Sequence, residues 1–233
     1  MNADPATVAA AYRRTLIRAA PFAIAAPIVI GVVLLAWGAR LEPLWLAAGA
    51  AGWMAALILR APVAIAAMRL AGGPEPAQPW ITASSGPLEE LVRLGVVLFA
   101  GQTLDRALSI GLGWAAIEVV YAIVNGIAML ALIGRTDAEA EQMRAMIPVK
   151  GALEPSALWW GAFERWWASV LHIAFTVIVA ARPVLVLFTI VAHSATNLVL
   201  LRVGKRLTLA RFQLAGAAWA TLLAVLAAWI WVA

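Results

Sequence analysis

The stretch ALSIGLGWAAIEVVYAIVNGIAMLALI, residues 107–133, carries a single charge, Glu118, in an otherwise uncharged run. Roughly 20 apolar residues suffice for a helix to cross a hydrocarbon core of about 30 Å, so this stretch reads as a membrane span. A carboxylate at mid-span costs about 2.5–3.5 kcal/mol even on the mildest scale. Glu118 therefore needs a reason. Six more apolar runs share the pattern, at 19–39, 44–68, 84–103, 156–181, 184–202 and 211–232. Inside them lie Glu89, Glu90 and Glu164 and the only two histidines, His172 and His193. The expected fold is all-α, a polytopic transmembrane bundle of about seven spans. Its polar site would be assembled from the spans at 84–103, 107–133, 156–181 and 184–202.

Composition points the same way. The 233 residues are 64% hydrophobic and only 12% charged, where soluble domains carry about 25% charge. The absence of cysteine excludes disulfides and thiolate metal sites. A net charge of +5 reads as cytoplasmic arginine and lysine facing anionic lipid, not as nucleic-acid binding. Residues 1–18 read as a basic amphipathic helix on the cytoplasmic side, with Asp4 as N-cap, Pro5 as first helical residue, then Arg13, Arg14 and Arg18. Residues 19–233 read as a single transmembrane domain. The run from Ala19 to Ala39 exceeds a signal-peptide core of about 7–15 residues, so it is expected to be retained. Glycine and proline mark Gly72–Pro76 as a loop and Arg182-Pro183 as a tight turn, and Pro62 should bend the second span. There is no internal repeat with a period of about 20–50 residues.

Charge asymmetry orients the chain. With the N-terminus inside, the inner segments hold Arg13, Arg14, Arg18, Arg69, Arg135, Arg144, Lys150, Arg202, Lys205, Arg206 and Arg211. The outer ones hold Arg40, Arg106 and Arg182. This is a positive-inside bias, and an odd number of spans puts the C-terminus outside. The inner loops are then Arg69–Ser84, Gly134–Pro155 and Arg202–Arg211. Trp37, Trp45, Trp229 and Trp231 fall near the outer interface, Trp159 and Trp160 near the inner one.

Four clusters then come to overlapping depths. In Gly86-Pro87-Leu88-Glu89-Glu90-Leu91-Val92-Arg93, adjacent glutamates point about 100° apart. One can face a cavity while the other pairs with Arg93, at i, i+3 from Glu90 or i, i+4 from Glu89. A purely structural ion pair fits as well. Glu118, Tyr121 and Asn125 share one helix face, and Gly111 and Gly113 allow another helix to approach closely. Glu164 and His172 stand about 12 Å apart along one helix, so Glu164 is expected to pair with Arg165, Arg93 or Arg60 in a supporting role. His193 and Asn197, at i, i+4, can both donate to one developing oxyanion, or simply join helices by hydrogen bonds.

Taken in order, the double glutamate with its arginine, the glutamate of the next span, Glu-Arg followed by a histidine, and His-x-x-x-Asn resemble the YhfC family of intramembrane peptidases. That family groups with the type II CAAX prenyl proteases, the PrsW proteases and the APH-1 subunit of gamma-secretase. Residues 86–197 carry the resemblance. It implies a glutamic-type peptidase without a cofactor, in which Glu89 or Glu90 is the general base, His172 holds the water, and His193 and Asn197 form the oxyanion hole. Arg93, Glu118, Tyr121 and Glu164 are expected to support them. The implied substrate is a membrane-embedded or membrane-anchored peptide. An alanine-rich, cysteine-free chain fits the bacterial inner membrane. Two other classes stay open: a non-catalytic scaffold like APH-1, and a proton- or cation-coupled transporter. Inverted repeats would favour the transporter, and none is visible. Carboxylates and imidazoles also suit zinc, the mechanistic alternative, although there is no His-Glu-x-x-His.

Overall fold

A computed structural model describes residues 5–135, 137–138, 140–141, 155–203 and 208–233. Seven α-helices occupy these residues: α1 (Pro5–Ala36), α2 (Pro43–Ala71), α3 (Pro74–Ala100), α4 (Leu104–Ile133), α5 (Pro155–Ala181), α6 (Val186–Val203) and α7 (Leu209–Val232). A 3₁₀ turn, Pro183–Leu185, joins α5 to α6. Five of the helices, α1, α2, α4, α5 and α7, are long and apolar enough to cross a membrane.

Two boundaries differ from the sequence reading. The basic helix expected over 1–18 and the first span form one continuous α1 from Pro5, with no break at residue 18. Asp4, its expected cap, lies outside the described residues. The expected loop Arg69–Ser84 shrinks to a turn at Gly72 and Gly73. Gly72 takes the left-handed conformation (φ 77°) that ends α2, and Pro74 opens α3 at once. Proline at a helix start loses nothing, because the first N–H groups have no partner there anyway. Of the Gly134–Pro155 loop, most residues, including Glu139, Arg144 and Lys150, lie outside the described set, as do Lys205 and Arg206.

Helix α5 is the hub, packing against α1, α3, α4 and α7. Every residue from Leu171 to Ala180 is buried. Its apolar window is 67% buried, against 6–28% for the other four candidate spans. Helix α2 packs on α3 and α4, and α6 leans chiefly on α3. The α2–α4 contact is backbone to backbone. A Cβ at Gly49 would collide with the Ile110 carbonyl, and one at Gly113 with the Leu46 carbonyl. Close approach of this kind is what small residues give membrane helices in place of a hydrophobic driving force.

The α3–α6 joint sets the site. Gly86 lets α6 come so near that a Cβ would meet the Ile190 carbonyl at 2.7 Å. Pro87 has no N–H, so the carbonyl four residues back, Ala83, loses its helical donor. The Ser194 hydroxyl supplies the replacement, donating to Ala83 O at 2.9 Å. This bond pins the residue next to His193 against the turn that carries Glu89 and Glu90.

Candidate active site inside the bundle

Arg93 is fully buried and holds three helices together. Its Nε donates to Glu90 Oε2 at 3.1 Å, its Nη1 to Thr176 Oγ1 at 2.7 Å and to the His172 carbonyl at 3.2 Å, and its Nη2 to His172 Nδ1 at 3.1 Å. The guanidinium lies 4.2 Å over the Trp114 ring. Gly111 makes this possible, because α4 there rests directly on Ile173 and the His172 carbonyl.

Hydrogen-bond direction follows from donor inventory. A guanidinium has no acceptor, so His172 Nδ1 accepts. The ring proton of a neutral His172 is then on Nε2, which donates to Glu118. Arg165 bonds the other Glu118 oxygen and reaches Glu164 at 2.6 Å. Glu164 and His172 thus do not meet, as their axial separation requires, but Glu118 and Arg165 bridge them.

The two adjacent glutamates divide as the helix geometry requires. Glu90 is wholly buried between Arg93 and His193, whose Nδ1 lies 2.8 Å from Oε1. Glu89 turns toward α2 and α4, where Arg60 bonds one oxygen and Trp114 Nε1 the other, at 3.2 Å. His193 Nε2 stands 3.9 Å from Glu89 Oε2. Its ring stacks on Phe175, with centroids 5.5 Å apart, and meets the His172 ring edge-on at 5.9 Å. Asn197 Nδ2 donates to Ser85 Oγ at 2.8 Å, and that hydroxyl donates to Thr82 O at 2.8 Å.

Part of this network borders one cavity of about 330 Å³, whose lining includes Arg60, Glu89, Glu118, His172, His193 and Asn197, with Tyr121, Asn125 and Glu164 toward its rim. Side-chain exposure rises from 0% at Glu90 and Arg93, through 6% at Glu89 and 21% at Glu118, to 32% at Glu164. The gradient places the mouth near Glu164, toward the end of the bundle that carries the Gly72–Gly73 turn.

The sequence-predicted residues Glu89, His172, His193 and Asn197 are thus brought together around one space, with Glu90 and Arg93 directly behind them. Arg60, expected as a partner for Glu164, bonds Glu89 instead, and three contributors were missed, Trp114 at Glu89, Thr176 at Arg93 and Ser85 at Asn197. Their signals were present as i, i+4 partners, Ser85 of Glu89, Trp114 of Glu118 and Thr176 of His172. Among the described residues, no three histidine or acidic side chains converge as a metal ion requires. No protein-family model, no curated protein and no solved structure matches this chain.

Proposed function

We propose that this protein is an intramembrane peptidase of glutamic type, as its resemblance to the YhfC family implies. It would cross the bacterial inner membrane seven times, N-terminus inside, with α3 and α6 completing the spans. The observation that carries the reading is the pairing of Glu89 and His193 across 3.9 Å at the cavity wall. A water within hydrogen-bond reach of both atoms fits that gap.

The chemistry follows from the partners. Glu89 takes a proton from the water as its oxygen attacks the peptide carbonyl carbon, then passes that proton to the leaving nitrogen as the C–N bond breaks. The oxyanion needs donors. Asn197 has two N–H groups, and Ser85 uses one. His193 offers Nε2, since Nδ1 is held by Glu90. With Nδ1 on the Glu90 carboxylate, Nε2 becomes a donor when the ring carries its second proton. His172 has a different part from the one the resemblance implies. Both its nitrogens are engaged, so it positions Arg93 and Glu118 and does not hold the water.

Arg60 and Arg165 both line the cavity, each set against a carboxylate, Glu89 and Glu118. The closed bonding of His172 favours the second reading, a non-catalytic scaffold or presenting subunit.

Purified protein in vesicles, offered a library of single-span membrane peptides, separates the two. Wild type should yield defined fragments by mass spectrometry, and Glu89→Gln should lose on the order of 10²–10⁴-fold. No cleavage by wild type, or undiminished cleavage by the variant, removes the peptidase reading. Loss with a chelator and recovery with zinc would make it a metallopeptidase.

A further inference from the structure

A second cavity, of about 320 Å³, lies between α6 and α7, lined by Ala195, Thr196 and Val199 on one side, Ala215, Gly216 and Trp219 on the other, and Trp167 of α5 as floor. Trp167 and Thr196 also line the polar cavity. One indole and one hydroxyl therefore separate the two spaces. We propose that this cleft is the subsite for an apolar segment of a membrane-embedded substrate, reached sideways from the hydrocarbon. The proposal rests on the peptidase reading and deepens it.

The walls select the occupant. Trp219 Nε1 donates to Thr196 Oγ1 at 2.8 Å, and that hydroxyl donates to the Ala192 carbonyl at 2.7 Å. Trp167 Nε1 donates to Gln213 Oε1 at 2.8 Å. Every side-chain hydrogen-bonding group in the lining is thus used, and the cleft has only apolar surface to offer. A polar loop placed there would lose its hydrogen bonds to water without replacement. Ala195, Val199 and Ala215 at the lips are exposed, and Gly216 at the back is buried. The lips open on the side of the helices, where only an apolar, membrane-resident group arrives. The volume admits a few aliphatic side chains of an unwound segment, not a second folded helix.

Gly216 also sets the partition. A Cβ there would meet the Trp167 ring at 2.6 Å. The glycine lets the indole lean toward α7, away from the polar cavity. A segment seated in the cleft presses on that indole from the α7 side, next to the place where the next residues of the same chain would reach Glu89 and His193.

Two measurements on the full chain test this. Benzoylphenylalanine at Val199 should capture a single-span leucine–alanine peptide with a central Gly-Pro at least tenfold better than the same group at Ile28, which is exposed on α1. The chain has no cysteine, so Val199→Cys and Ala215→Cys can be joined cleanly by a short bismaleimide. Bridging should lower kcat/KM at least tenfold for the best-cleaved single-span peptide and leave an octapeptide spanning the same bond within twofold. Equal capture at both positions, capture of lipid alone, unchanged cleavage, or an equal loss on both substrates each overturns the subsite. If wild type cleaves nothing, the peptidase reading falls, and the capture result still decides whether the cleft takes a peptide.

Discussion

Glu89 and Glu90 are consecutive residues with opposite surroundings: Glu90 is sealed between Arg93 and His193, and Glu89 borders the cavity with Arg60 and Trp114 on its two oxygens. Their substitutions should therefore separate. Glu89→Gln removes the proposed base. Glu90→Gln keeps an acceptor for His193 Nδ1 but removes the charge that favours a second ring proton. Cleavage should fall further in the first variant than in the second. Equal losses would show that the assignment of base and orienting group is wrong.

The donors give a separate test. His193→Ala should lower kcat by about 10²–10³-fold, the usual loss for one oxyanion donor. Asn197→Ala should act in the same direction, with KM little changed. A rise in KM at constant kcat for either variant would mean that it binds the ground state and not the developing charge.

Arg93 is the structural centre. Arg93→Met leaves the buried Glu90 carboxylate with His193 as its one remaining partner among the described residues and should destabilise the protein by about 3–5 kcal/mol. Adding Glu90→Gln should restore part of that loss. Unfolding in detergent, followed by tryptophan fluorescence, measures both. If the double variant is as unstable as the sum of the single ones, the two residues are not coupled.

His172 and Glu118 should behave as one unit. Each single change, His172→Ala or Glu118→Ala, breaks the same contact, so the double variant should lose less stability than the sum, by about 0.5–3 kcal/mol. Additive losses would mean that the link between α4 and α5 through this pair is not what holds the wall in place.

Sidedness is open to labelling. Single cysteines at the exposed positions Glu75 and Thr208 should react in intact cells only with a membrane-permeant thiol reagent, and one at Arg182 with an impermeant reagent as well. Impermeant labelling at Glu75 would reverse the orientation drawn from the arginine and lysine distribution.

What the sequence made legible was local. The Glu90–Arg93 pair follows from a spacing of three on one helix, and the shared face of Glu118, Tyr121 and Asn125 from spacings of three and four. The partnership of Glu118 with His172 was not legible. It depends on how closely α4 rests on α5, which Gly111 decides across distant segments. Arg60 was visible as a candidate partner for Glu164, but its long side chain reaches Glu89 instead. Pro74 to Ser84 was misjudged because glycine and proline mark both loops and helix starts. Only the φ of Gly72 and the immediate restart at Pro74 show which applies here.

The uneven apolarity of the helices bears on how the chain is made. Helix α1 has a mean hydropathy of 2.4 over its most apolar window and α5 only 1.2. Helix α3, with Glu89, Glu90 and Arg93, is not among the five helices apolar enough to be spans by composition. A charged group is expensive in lipid and inexpensive beside its counter-ion. During synthesis, then, α3 and α5 gain little from leaving the insertion machinery singly, and much from leaving together with α4 and α6, whose side chains complete their ion pairs. Biogenesis of this protein becomes a problem of joint release, and a substitution such as Arg93→Met should show first as chains lost to quality control during insertion.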